Sequence, residues 1–205
     1  DNRHSYWQFS LARKLPFFRV APVSPFDPNY EALMAFIELG PDAGPAVPQL
    51  VKVYYSEPDR DTKDWVIPTL TQLGPPAEPA VPMLLHALDG TNTLLRANAI
   101  FALGAIHADA PVVVPALIAC LHKPEYEVRL AAVMALGDYG KVAKSAVPAL
   151  LELLRDPKRN PALSPTYTTA TGGSAHLPTI GQMVTFALLE IDPEAAAKMG
   201  MKASW

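Results

Sequence analysis

The chain has 205 residues, half of them apolar and 18% charged, which excludes a disordered polymer and leaves room for one domain with a sizeable core. A net charge of −3 argues against a general nucleic-acid binder, which needs a broad basic face, and the single cysteine, Cys120, excludes an internal disulfide or a cysteine-built metal cage. No apolar run is long enough to span a bilayer.

Residues 1–28 form an aromatic and basic arm, with Arg3, Arg13, Lys14 and Arg19 against Asp1. Trp7, Leu11 and Leu15 are spaced by four, which suits a short helix capped by Ser5. Two readings stand: a cap over the core that follows, or an arm that meets a membrane surface or a partner.

From about residue 29 the chain repeats itself. Valine–proline recurs at Val47–Pro48, Val81–Pro82, Val114–Pro115 and Val147–Pro148, at spacings of 34, 33 and 33. Leucine–glycine recurs at Leu39–Gly40, Leu73–Gly74, Leu103–Gly104 and Leu136–Gly137. Each unit reads as a helix A opened by the proline, a turn, a helix B ending at Leu-Gly, and a polar turn. Proline costs about 3 kcal/mol in a helix interior but nothing in the first turn, where the missing N–H had no partner. In KSAVPALLELLRDP, Ser145 is the expected N-cap, and Val147, Leu150, Leu151 and Leu154 make one apolar stripe.

Helix B is clearest in EVRLAAVMALG, where Val128, Ala131, Ala132, Ala135 and Leu136 share a face and the alanines admit a neighbouring helix closely. Gly104 and Gly137 are expected to supply the left-handed residue that ends helix B. One two-helix unit cannot bury its own apolar face, so the units must stack. Pro68, inside the second helix of the first full unit, predicts a kink or a late start there. Cys120 lies in an apolar helical run and reads as a small buried hydrophobe.

The last unit departs most. Asp156 to Pro178 runs DPKRNPALSPTYTTATGGSAHLP without a helical period. The inserted loop, about 156–176, is either a binding flap carrying Tyr167 and His176 or a solvated variable insertion. Gly172–Gly173 is no phosphate loop, for no lysine follows and no strand precedes it. The bases Lys141, Lys144, Arg155, Lys158 and Arg159 read as solvated helix ends and turns.

The unit resembles the HEAT repeat, in which a proline near the start of helix A and an arginine in helix B are hallmarks. Pro48, Pro82, Pro115 and Pro148 match the first, and Arg96 and Arg129 the second; the arginine position holds Val66 in the first full unit and Gly181 in the last. The resemblance implies an all-α, right-handed α-solenoid of about four stacked two-helix repeats over 29–205. The layout, with the ending IDPEAAAKMG, is similar to short bacterial HEAT-repeat proteins, many with an N-terminal export or anchor segment; lyases with HEAT-like repeats are relatives. With a chain starting at Asp1, that favours an exported or anchored location over the cytoplasm, and membrane contact only through a removed anchor.

In HEAT-like solenoids the B helices line the concave side. The residue two before each helix-B leucine is Ile37, Thr71, Phe101, Met134 and Phe186 in turn. These form either an apolar stripe ready for a partner helix or peptide, or core between repeats. The five histidines, His4, His86, His107, His122 and His176, make no HxxxH or HxH pair, and none precedes a glutamate. The expectation is therefore a non-catalytic scaffold for another protein or peptide, with no metal, no cofactor and no nucleic acid. Phe101, Met134, Phe186, Tyr167 and His176 are the candidate contacts. The alternative is a HEAT-like enzyme or ligand-binding protein, lyase-like, whose site the insertion builds.

Overall fold

The computed structural model describes residues 28–56, 60–160, 166–168, 174–176 and 179–201. The arm readings and the roles of Trp7 and Ser5 lie outside the described residues.

Ten helices follow in chain order: α1 (Pro28–Leu39), α2 (Val47–Ser56), α3 (Arg60–Leu73), α4 (Val81–Ala87), α5 (Thr93–Ile106), α6 (Ala110–Cys120), α7 (Tyr126–Tyr139), α8 (Val147–Arg155), α9 (Ile180–Ile191) and α10 (Pro193–Lys198) among the described residues. Short 3-10 segments, Gly40–Ala46, Pro75–Ala80 and Gly140–Ala146, lead into α2, α4 and α8. The pairs α2/α3, α4/α5, α6/α7 and α8/α9 are the four A/B units, and α1 is a lone B helix in front of them. The odd-numbered B helices pack on one another in chain order, α1 on α3, α3 on α5, α5 on α7 and α7 on α9, while each A helix packs on its own B partner. The fold is an all-α solenoid.

A single dry core runs from Ala43 to Ala196 through every unit. Leu103, Leu136 and Leu188 are fully buried at equivalent positions of successive B helices, as are Ala99, Ala102, Ala132 and Ala135. Small residues at the crossing points let the B helices approach, and large ones fill the layers between them.

The prolines open helices from outside. Pro48, Pro82 and Pro148 sit in the first turn of α2, α4 and α8 with their rings exposed. Pro115 differs: α6 starts earlier, at Ala110 with Pro111 in its first turn, so Pro115 lies inside it. Three further local expectations are corrected. Ser145 caps nothing, because the 3-10 segment Gly140–Ala146 runs straight into α8 and Ala146, in a helical conformation, takes the cap position. Helix α3 does not start late but runs from Arg60 through Pro68 to Leu73.

Gly104 and Gly137 do not end their helices. The chain stays helical to Ile106 and Tyr139, and the left-handed residues that follow are His107 (φ 56°) and Gly140 (φ 52°). The physical reason is crowding rather than turning. A Cβ on Gly104 would meet Ala135 Cα and Cβ at 3.0 Å and Asp138 Oδ2 at 2.9 Å, so glycine is what lets α7 cross α5 this closely.

The inserted loop has structure of its own. It carries a two-stranded antiparallel hairpin, β1 (Thr166–Thr168) and β2 (Ser174–His176), in which Thr166 pairs with His176, Tyr167 with Ala175 and Thr168 with Ser174.

Candidate functional site

The exposed side of the stacked B helices is set by their register. Counting from each B-helix leucine, the positions nine, five and two before it and two after it fall on one face of the helix. In α5 these are Leu94, Asn98, Phe101 and Ala105; in α7 they are Glu127, Ala131, Met134 and Asp138. Phe186 and Glu190 continue the face in α9, Met34 and Ile37 begin it in α1, and Pro68 and Thr71 lie on it in α3.

The face is apolar along its length, with carboxylates at one end. Met34, Ile37 and Leu94 are 37%, 42% and 43% exposed, high for large apolar side chains. Phe101 is buried at 6%, and Met134 and Phe186 are half-buried against the core. The candidate stripe is thus divided: Ile37 is bare, Met134 and Phe186 are partly open, and Phe101 belongs to the packing between units. Thr71 turns its hydroxyl back to the carbonyl oxygen of Ile67, 2.8 Å away. Tyr167 and His176 are brought opposite one another's strands in the hairpin, displaced by one pair, since Tyr167 faces Ala175 and His176 faces Thr166. Their side chains lie outside what is described.

Asp138 and Glu190 occupy the same position in successive B helices. Burial, reinforced by the negative charge of Glu190, pushes the Asp138 carboxyl up to about 7.

The turns between helices A and B form a separate polar rim, built on the two repeat arginines. Arg96, buried, donates from Nη2 to Glu125 Oε1 at 2.6 Å, and that bond holds the Glu125 carboxyl below the usual carboxylate range. Arg129, also buried, donates from Nη1 to the carbonyls of Lys123 and Pro124 at 2.9 and 2.6 Å, and from Nε to the carbonyl of Arg159 at 3.2 Å. It therefore ties the turn of its own unit to the turn of the next.

Arg159 was expected to be a solvated turn residue and is instead a hub. Its guanidinium binds Asp156 Oδ2 at 2.6 Å and Glu152 Oε1 at 2.7 Å, and its Nη1 lies 2.9 Å from His122 Nδ1. Both carboxyls are held below their ordinary range by these bonds. Lys144 also has a partner, Asp192 Oδ2 at 3.0 Å, while Lys141, Arg155 and Lys158 are exposed.

Residues absent from the sequence reading complete the joint between α5 and α7. Tyr139 is buried, and its hydroxyl donates toward the carbonyls of Ala108, at 2.7 Å, and Leu103, at 3.3 Å, in the preceding unit. The signal available was its place one unit after Ile106, at the end of a B helix. Cys120 is buried and its thiol is pushed up to about 11 by that burial, which suppresses thiolate chemistry. Among the described residues no three His, Cys, Asp or Glu side chains converge as metal ligands, and no described helix is long and apolar enough to cross a membrane.

This stacking of A/B pairs, each hinged by a proline-opened first helix, defines an α-solenoid built from HEAT repeats. Residues 81–163 match the family model described as HEAT repeats, so the central units carry the family's sequence pattern as well as its architecture. Among solved structures, the crystal structure of an engineered protein aligns with a TM-score of 0.51 at 17% identity, covering 92% of this chain and 79% of that one. That likeness supports the fold alone. No curated protein matches the sequence.

Proposed function

We propose that the chain is a binding scaffold whose exposed B-helix face takes a segment of another protein, and that its chemistry is recognition rather than bond making. HEAT repeats commonly serve as interaction scaffolds, and the observation that carries the reading here is the apolar row on that face. Met34, Ile37 and Leu94 stand more than a third exposed in a register that Met134 and Phe186 continue. Large apolar side chains left in water at one repeating position mark a surface that is covered in use. Affinity would come from a few such anchors and not from total contact area.

The test places a photo-crosslinking amino acid at position 37 or 94, and, as controls, at 112 or 142. Val112 and Val142 are 49% and 63% exposed but lie off the face, on α6 and on the 3-10 segment before α8. Discrete adducts from 37 and 94 alone are the expected result in extract of the native cell. Equal labelling from all four positions overturns the assignment of the binding face.

A further inference from the structure

We propose that the N-terminal arm, residues 1–27, is the resident occupant of the B-helix face, lying in the same chain along α5, α7 and α9 until a partner displaces it. The proposal rests on the binding reading above and adds how that face is regulated.

Composition is the first argument. The arm holds Tyr6, Trp7, Phe9, Phe17, Phe18 and Phe26, six of the 17 aromatic residues in the chain. A segment so rich in aromatics does not remain solvated; it needs apolar surface to cover. The first complete unit is already fronted by α1, which packs on α3, so a cap at that end has little left to bury. The B-helix face, with Met34, Ile37, Leu94, Met134 and Phe186 wholly or partly open, is where apolar surface remains.

Charge is the second. The arm carries four basic and two acidic side chains, whereas the rest of the chain carries 13 basic and 18 acidic ones. The face positions named above include Glu127, Asp138 and Glu190 and no lysine or arginine. A basic aromatic strand on an apolar track with carboxylates at one end is complementary in both respects. Reach is the third. An extended chain of this length covers on the order of 90 Å at about 3.3 Å per residue, and five helices stacked about 10 Å apart span about half of that.

The experiment keeps the full 205-residue chain. A nitroxide label is attached at Ser10→Cys, the native Cys120 being buried and unreactive, and amide signals are compared between the oxidised and reduced label. The expected result is loss of signal around Phe101, Met134 and Phe186 with signals around Val112 and Val142 retained, and recovery in the triple variant Arg13→Glu, Lys14→Glu, Arg19→Glu. Loss confined to α1 would make the arm an end cap, and weak uniform loss would make it a solvated tail; either overturns the proposal. Adducts from positions 37 and 94 together with an unperturbed inner face would sink this inference and leave the scaffold standing. A docked arm without any adducts would sink the scaffold instead.

Discussion

The ring of Tyr139 lies flat on that of His107, with centroids 4.6 Å apart and planes 15° from parallel. His107 is the left-handed residue that ends α5, and Tyr139 ends α7 one unit later, so the stack locks two consecutive B-helix termini together. The hydroxyl adds to it. Leu103 has a second donor in the amide of His107, at 3.1 Å, whereas the tyrosine is the shorter partner of Ala108 at 2.7 Å.

Tyr139→Phe should therefore keep the stack and leave a buried carbonyl poorly satisfied. The expected cost is about 1–3 kcal/mol, read as a lower urea midpoint at unchanged slope. A midpoint equal to wild type would mean that water replaces the hydroxyl freely.

The two ladder arginines should differ in importance. Arg129 satisfies three carbonyls in two turns with its planar fork, while Arg96 makes one short bond to Glu125 and its Nε has no partner. Lysine keeps the charge but cannot reproduce the fork. Arg129→Lys is expected to cost about 2–3 kcal/mol and Arg96→Lys about 1, compared by chemical denaturation of both variants. Equal losses would show that the ladder works through charge alone.

Much of the architecture was legible because a repeat writes its register into the sequence. The Val-Pro spacing gave the four A helices, and the Leu-Gly spacing gave the stacking leucines. The glycines were misread because the same dipeptide serves two ends. At Gly40 and Gly74 a proline follows directly, the glycine adopts φ of 53° and 64°, and the helix stops. At Gly104 and Gly137 an alanine or an aspartate follows, and the helix continues. The following residue was the available signal. The hub at Arg159 left no such trace, since His122, Arg129 and Glu152 reach it from three different elements. Neither did the split of the apolar stripe, because Phe101 and Phe186 share a register position and differ only in what neighbours them.

The two interior glycines consequently make opposite predictions. Alanine is favoured over glycine inside a helix by about 1 kcal/mol. At Gly137 the nearest atoms to an added Cβ are Ala187 Cα and Cβ at 3.4 Å, an ordinary contact, so Gly137→Ala should be neutral or slightly stabilising. At Gly104 the obstruction is 2.9–3.0 Å and includes backbone, so the helices must part. Gly104→Ala should cost about 1–3 kcal/mol despite the helix preference. Melting temperatures of the pair, one up or level and the other down, check the claim.

Acid and alkali should act on this fold through different carboxylates. Asp138 sits at about 7 in the folded chain, well above its ordinary value, so folding favours its protonated form. Below about pH 4 the group is protonated folded or unfolded and contributes nothing. As pH rises toward 7 the unfolded state releases the proton that the folded state keeps, and stability declines by up to a few kcal/mol before levelling off. Glu125 and Asp156, held low by Arg96 and Arg159, run the other way: their contribution is present above the ordinary carboxylate range and fades as pH falls below it. Asp138→Asn should accordingly raise stability at pH 7–8, change it little at pH 4, and flatten the decline between. Denaturation midpoints across that range decide the matter; a wild-type profile in the variant would assign the decline to another group.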